Sequence, residues 1–143
     1  MTRALFGENM IIKCRTVYLA IILALLTCTI QAAESSWTRV EGGSWQPSDH
    51  IISKIKSTLR AHMKSQESVF RTSLKKWDTY RFQYQGQEKN GRRFVYINAL
   101  CNSDINNLSN AFVFVFDGGS CYFQVKYDPM ANVYFDTYIN GEA

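Results

Sequence analysis

The chain has 143 residues, of which 46% are hydrophobic, and a net charge of +4 at neutral pH. This length allows one domain beside any targeting segment. Without residues 1–33 the net charge is about +2. This is far from the strongly basic balance of a nucleic-acid-binding protein, so we expect no nucleic-acid partner.

The N-terminal residues have the pattern of a secretory signal peptide. Lys13 and Arg15 precede the apolar run Thr16–Ile30, and two alanines follow shortly after it. A run of 15 residues is short for a membrane span. We therefore predict a signal peptide over residues 1–33, with Met10 as a possible true start, and export to the periplasm or secretion. A single-span anchor is the alternative.

The segment Leu25–Cys28 resembles a bacterial lipobox, in which a cysteine after a small residue is lipidated. Thr27 stands where Gly, Ala or Ser is usual. Lipidation of Cys28 would make the chain an anchored envelope lipoprotein. We expect membrane attachment only by this route or through an uncleaved leader.

Residues 34–46 are polar and contain glycine, so they are expected to form a flexible lead-in. A helix is predicted from Pro47 to about Gln66, with Asp49 in its first turn. Its apolar stripe consists of Ile51, Ile52, Ile55, Leu59, His62 and Met63. Its basic side chains, Lys54, Lys56, Arg60 and Lys64, either attract an anionic surface or form a solvated face. The stretch Ser65–Lys76 could extend the helix or form a second short turn.

Strand patterns begin at Trp77. Tyr80, Phe82 and Tyr84 alternate with polar residues, as in a half-exposed strand. A turn is predicted over Gly86–Gly91, and Arg92–Leu100 is expected to be a central strand because it is apolar on both faces in its middle.

The apolar run Ala111–Phe116 predicts a strand that is covered on both faces. The turn Asp117–Ser120 would join it to the alternating strand Cys121–Tyr127, and this hairpin would be the centre of the sheet. A turn over 128–132 and a last strand, Val133–Ile139, follow. The sequence thus predicts a single α+β domain over 47–143. Its N-terminal helix would pack on an antiparallel sheet of four to five strands.

Cys101 and Cys121 are the two cysteines outside the leader. In an oxidising compartment they are expected to form one disulfide, with two buried free thiols as the alternative. In a plain meander that includes Ala111–Phe116 they would lie about 20 Å apart, whereas a disulfide needs Cα atoms within about 7 Å. We therefore predict the disulfide and do not expect the strands to form a plain meander.

The sequence contains no catalytic set that we recognise, and we predict no catalytic residue, cofactor or metal site. The two histidines, His50 and His62, are more than three helical turns apart and cannot share a metal. The carboxylates fall at turns and strand edges, where turn formation and solvation are their expected roles: Asp78, Glu88, Asp104, Asp117, Asp128 and Asp136. An enzyme would need a pocket with a shifted carboxylate pKa.

The order of elements, a helix followed by an antiparallel sheet, resembles the cystatin-like superfold. Gln83-Tyr84-Gln85-Gly86 is similar to the Q-x-V-x-G motif that cystatins carry at their first hairpin, although it is one residue short and lacks the valine. The resemblance implies that Gln83, Gln85 and Gly86 contact a partner. The chain also resembles small exported bacterial proteins of unknown function, through the segments Ile97–Cys101 and Asp117–Pro129.

These patterns lead to one functional expectation and two alternatives. We expect a small exported, non-enzymatic binding module whose partner is a protein or an envelope component. The first alternative is a cystatin-like peptidase inhibitor, which the resemblance implies. The second is an envelope lipoprotein.

Overall fold

The computed structural model describes residues 36–101 and 105–141, which form one α-helix, five β-strands and two short 3-10 helices, Trp77–Thr79 and Gly119–Cys121. The strand pattern predicted from Trp77 thus begins later, at Arg81. The elements are β1 Trp37–Arg39, α1 Asp49–Phe70, β2 Arg81–Lys89, β3 Arg92–Leu100, β4 Tyr122–Asp128 and β5 Val133–Ile139. They confirm an α+β fold with one N-terminal helix. The predicted signal peptide and Cys28 lie outside the described residues. Within the described ranges no helix is long and apolar enough to cross a membrane.

Helix α1 begins and ends with clear caps. The Ser48 hydroxyl accepts a hydrogen bond from the backbone N–H of Ile51, and Asp49 lies in the first turn. Arg71 ends the helix in the left-handed conformation, with φ of 50°. The helix is therefore four residues longer at its C-terminal end than the predicted one, and Phe70 belongs to it. Its buried face consists of Ile52, Ile55, Leu59 and Met63.

The sheet has the strand order β1-β2-β3-β4-β5. Strands β2 to β5 form an antiparallel meander, and β1 pairs with β2 in parallel. A two-residue turn, Asn90-Gly91, joins β2 to β3, and both residues have positive φ as tight hairpins require. The predicted turn over Gly86–Gly91 is thus too long, because β2 continues through Lys89.

Strand β1 lies in the segment for which the sequence predicts a flexible lead-in. Trp37 stacks on Phe82 with a centroid distance of 4.3 Å, and the Val40 N–H donates to the Tyr84 carbonyl at 2.9 Å. The indole N–H of Trp45 donates to the Gln87 carbonyl. These contacts hold the described part of the lead-in along β2.

The predicted strand Ala111–Phe116 is wrong: this stretch belongs to no strand. Strand β3 pairs directly with β4, with Leu100 opposite Tyr122. The chain leaves the sheet after β3 and returns at the same place, so Cys101 and Cys121 come within 5.0 Å at their Cα atoms and form a disulfide. The predicted disulfide therefore fits a plain meander of β2 to β5.

Hydrophobic cores lie on both faces of the sheet. The larger one fills the space between α1 and the sheet, with Ile97, Phe123 and Val125 at its centre. The smaller one lies on the opposite face, which we call the outer face, and contains Leu100, Leu108 and Tyr122. Residues 105–118, which we call the covering segment, lie over this outer face. The described domain therefore has three layers: helix, sheet and covering segment.

Candidate functional site on the outer face of the sheet

Three side-chain amides stand next to one another across β2, β3 and β4. The register places Gln83 opposite Asn98 and Asn98 opposite Gln124, and we call these three residues the amide row. Gln83 and Asn98 are fully buried. The Gln124 amide donates to the Asn98 side-chain oxygen at 3.2 Å, and the Asn98 amide donates to the Gln83 side-chain oxygen at 2.9 Å. Hydrogen bonds thus join the three side chains of the amide row to one another.

The amide row binds the backbone of the covering segment. The Gln83 amide donates to the carbonyls of Leu108 and Ala111 at 2.7 Å each. Its oxygen accepts from the Val113 N–H at 2.9 Å, and the Asn98 amide donates to the Val113 carbonyl at 2.8 Å. Buried backbone groups need partners, and here side chains supply them instead of a neighbouring strand.

The C-terminal end of the covering segment is held by the end of the chain. The Asn140 amide donates to the carbonyls of Val115 and Asp117. The Gly119 N–H donates to the Gly141 carbonyl at 3.0 Å. A Cβ on Gly118 would lie 2.6 Å from the Tyr122 ring, so this close turn requires glycine. The segment is thereby fixed at its C-terminal end as well as in its middle.

Alternate side chains of the covering segment point away from the sheet. Val113 and Val115 pack on the smaller core. Phe112, Phe114 and Phe116 face outward, and we call them the Phe row. The exposed fractions are 60% for Phe114 and 92% for Phe116. This alternation is that of an extended chain.

One end of the Phe row is supported by the sheet. Phe112 packs edge-on against Tyr96 with a centroid distance of 4.9 Å, and Phe112 and Phe114 are 6.1 Å apart. Burial raises the pKa of Tyr96 to about 12. The row therefore runs from a half-buried ring to a fully exposed one.

The backbone of the Phe row has unused hydrogen-bonding groups. Among the described residues, the N–H and C=O groups of Phe112 and Phe114 form no hydrogen bond. Those of Val113, between them, are both bound by the amide row. The exposed edge thus offers donors and acceptors together with two apolar rings.

The residues that the sequence places at a partner site lie within β2 and not in the Phe row. Gln83 belongs to the amide row and is fully buried. Gln85 donates to the Glu41 carbonyl, and Gly86 pairs with Trp45, whose carbonyl oxygen would be 2.2 Å from an added Cβ. Gln85 and Gly86 line a cavity of about 200 Å³ beside Trp45. They are remote from the hairpin tip where the cystatin motif would stand.

Four of the carboxylates that the sequence places at turns and strand edges have partners: Asp78, Glu88, Asp128 and Asp136. Asp128 accepts from the N–H groups of Met130 and Ala131 and from Arg92 at 2.7 Å. The Ala131 N–H is the main cause of its lowered pKa. Asp78, Glu88 and Asp136 form ion pairs with Lys76, Arg93 and Lys126. Within residues 36–101 and 105–141, no three His, Cys, Asp or Glu side chains are grouped as metal ligands.

Sequence reasoning missed the Phe row. The alternation Phe-Val-Phe-Val-Phe over 112–116 was its signal, because an extended chain puts the three rings on one side. Because valine and phenylalanine are both apolar, the same pattern predicts a strand that is buried on both faces. Nothing local indicates that one side faces solvent.

Comparison of the chain with protein-family models, with curated proteins and with solved structures finds no match. The fold itself defines the class, an α+β domain with one helix and a five-stranded, mostly antiparallel sheet. Its particular feature is the connection between β3 and β4, which the Cys101–Cys121 disulfide closes and which carries the Phe row over the outer face.

Proposed function

We propose that this chain is an exported, non-enzymatic binding domain whose partner protein docks an extended apolar segment on the Phe row. The observation that carries this proposal is the exposure of Phe114 and Phe116 on a segment that is otherwise firmly held. Burying a phenylalanine side chain stabilises by about 1.5–3 kcal/mol. Covering both rings would therefore supply substantial binding energy.

The chemistry of the partner follows from the backbone of the row. The free N–H and C=O groups of Phe112 and Phe114 match those of another extended chain. A purely apolar ligand would leave them without partners once water is excluded, at a cost for each group. An extended protein segment with apolar side chains provides both kinds of contact.

The anchoring of the covering segment supports binding with little loss of entropy. The amide row, Asn140 and the disulfide hold the segment before any partner arrives. A surface that is already ordered avoids much of the conformational cost of association.

Export is the second part of the proposal. The predicted leader and the disulfide both favour an oxidising compartment, the periplasm or the medium. Cell fractionation followed by intact mass, before and after reduction, tests it. We expect an exported chain that starts near Glu34 and whose two thiols are blocked until reduction. An uncleaved cytoplasmic chain with free thiols would contradict export but not the Phe-row contact.

Site-specific photo-crosslinking in the producing cell tests the binding surface. A benzoylphenylalanine at position 116 is expected to give a discrete protein adduct that the F114S substitution weakens at least tenfold. Position 130 is the matched control, because Met130 is 91% exposed but lies on the turn between β4 and β5. Equal adducts at 116 and 130, or none at 116, would contradict the proposal. An adduct of twice the chain mass would identify the partner as a second copy.

A further inference from the structure

Positive charge is concentrated on the helix and on the connection that follows it. Residues 49–78 contain seven basic and three acidic side chains, whereas the other described residues contain six basic and five acidic ones. The net charge of the described domain therefore belongs almost entirely to this region. Such an asymmetry attracts anions to one side of the molecule.

A groove of about 220 Å³ lies between α1 and the connection 72–77. Arg60 and Lys64 line it from the helix, one turn apart, and Lys75 and Lys76 line it from the connection. Trp77 closes its inner side by stacking at 6.2 Å from Phe123. Four basic side chains thus line one groove, together with the carboxylate of Glu67.

The two carboxylates near the groove, those of Glu67 and Asp78, already form ion pairs with lysines. Glu67 binds Lys64 at 2.6 Å and accepts from the Leu74 N–H at 2.8 Å, which fixes the connection to the helix. Asp78 binds Lys76 at 2.9 Å. Among the described residues neither Arg60 nor Lys75 forms an ion pair. Lys76 has the larger effect in lowering the pKa of Asp78, and Arg60 adds to it through its charge but forms no ion pair with Asp78 among the described residues. The side-chain nitrogens of Arg60 and Lys75 therefore remain available to a ligand.

The wall of the groove is fixed in place by the buried Tyr80. Its hydroxyl accepts from the Lys75 N–H at 3.0 Å and donates to the Ser120 carbonyl. The backbone that carries Lys75 is therefore tied, through Tyr80, to the disulfide-closed connection between β3 and β4. The groove is a formed site rather than a set of unconnected surface lysines.

The cations continue along the helix beyond the groove. Lys56, Arg60 and Lys64 are spaced four residues apart and follow one side of α1 over about 12 Å. A single soluble phosphate would use only the groove. Phosphates arrayed on a surface would fill the groove and also meet the rest of the stripe.

We propose that this groove binds the phosphate group of an anionic phospholipid, so that the helix side of the domain lies on a bilayer surface. Such a contact is a third route to the membrane, beside the lipidation of Cys28 and the uncleaved leader that the sequence suggests. A guanidinium group binds phosphate through two parallel hydrogen bonds, which suits Arg60. The lysines add point charges around it. The attraction acts over about a Debye length and weakens as salt is added.

Vesicle co-sedimentation of the chain as recovered after export tests this proposal. Phosphatidylglycerol vesicles are expected to bind the chain in a salt-sensitive manner, and phosphatidylcholine vesicles measure any contribution from apolar contacts. The double variant Arg60→Gln/Lys75→Gln should weaken binding to phosphatidylglycerol at least tenfold. It should leave the thermal unfolding temperature nearly unchanged, because neither side chain forms an ion pair within the described part of the chain.

The matched control is Arg39→Gln/Lys89→Gln, which removes the same charges from exposed positions outside the groove. It should change binding less than twofold. An equal loss in both variants would overturn the proposal in favour of general charge attraction. Absence of binding to phosphatidylglycerol would also overturn it. So would saturation of the groove by inorganic phosphate without vesicle binding, since the ligand would then be a soluble anion.

Discussion

At the scale of single residues, the side-chain amide of Gln83 has the largest structural role on the outer face. It makes four hydrogen bonds, two as donor and two as acceptor, while fully buried. Replacing it with leucine would leave the Leu108 and Ala111 carbonyls and the Val113 N–H without partners. We expect Gln83→Leu to lower the free energy of unfolding by about 2–4 kcal/mol in urea denaturation.

Gln46→Leu is the control for this prediction. Gln46 is exposed, so its replacement should change the free energy of unfolding by no more than about 0.5 kcal/mol. A Gln83→Leu variant as stable as the original chain would show that the amide row does not hold the covering segment.

His62 gives the domain a pH dependence on the acidic side of neutrality. Burial lowers its pKa from 6.5, and its Nε2 lies 2.9 Å from the Thr137 hydroxyl oxygen. Protons therefore bind more readily to the unfolded chain. The free energy of unfolding should fall as pH drops below about 6.5 and recover above it.

Urea denaturation between pH 5 and pH 7.5 measures this effect, with the pH values chosen to bracket the usual histidine range. His62→Gln should flatten the curve, whereas His50→Gln, at an exposed position, should leave its shape unchanged. An unchanged slope in His62→Gln would exclude His62 as the cause.

The sequence could place Gln83 on a strand but not predict its burial. Its neighbours Phe82 and Tyr84 give the correct period of two, and the polar face of such a strand normally meets water. The layer that covers Gln83 comes from residues 105–118, more than 20 positions away. No local pattern contains that information.

At the scale of elements, the strands whose ends are marked by turn residues in the sequence were predicted well. Arg92–Leu100 and Val133–Ile139 have the predicted bounds, because turn residues mark both ends of each run. Ala111–Phe116 has the same apolar composition but forms no strand. Its inward backbone groups bind Gln83, Asn98 and Asn140 instead of a neighbouring strand.

The disulfide joins two cysteines that are 20 positions apart in the sequence. Removing the cross-link gives the unfolded chain more freedom, and for a loop of this length the expected loss is about 3 kcal/mol. We expect Cys101→Ala/Cys121→Ala to lower the free energy of unfolding by about this amount. The reduced original chain is the control and should match the variant. A loss below about 1 kcal/mol would show that the amide row and Asn140 suffice.

At the scale of the whole molecule, the two proposed contact surfaces lie on opposite sides of the sheet. The Phe row faces outward from the covering segment, and the basic groove lies beside α1 on the other face. They share no residue. We expect F114S/F116S to bind phosphatidylglycerol vesicles as the original chain does, measured by co-sedimentation. A tenfold loss would mean that the two surfaces are not independent.

The general class of the fold was predictable, whereas its third layer was not. One amphipathic helix and a series of turn-bounded strands indicate helix-on-sheet packing. The covering segment depends on contacts between distant residues. The parallel strand β1 is only three residues long and has no alternating pattern that would mark it in the sequence. The resemblance to cystatins implies the same class of fold, and the partner contacts that it implies, at Gln83, Gln85 and Gly86, stay a prediction.

Amide hydrogen exchange of residues 111–116, followed by NMR, tests the central claim most directly. The claim is that the amide row binds alternate backbone groups and leaves the others free for a partner. It predicts slow exchange for the Val113 N–H and fast exchange for those of Phe112 and Phe114. Slow exchange at Phe112 and Phe114 in the isolated domain would contradict it, because those groups would then already be paired.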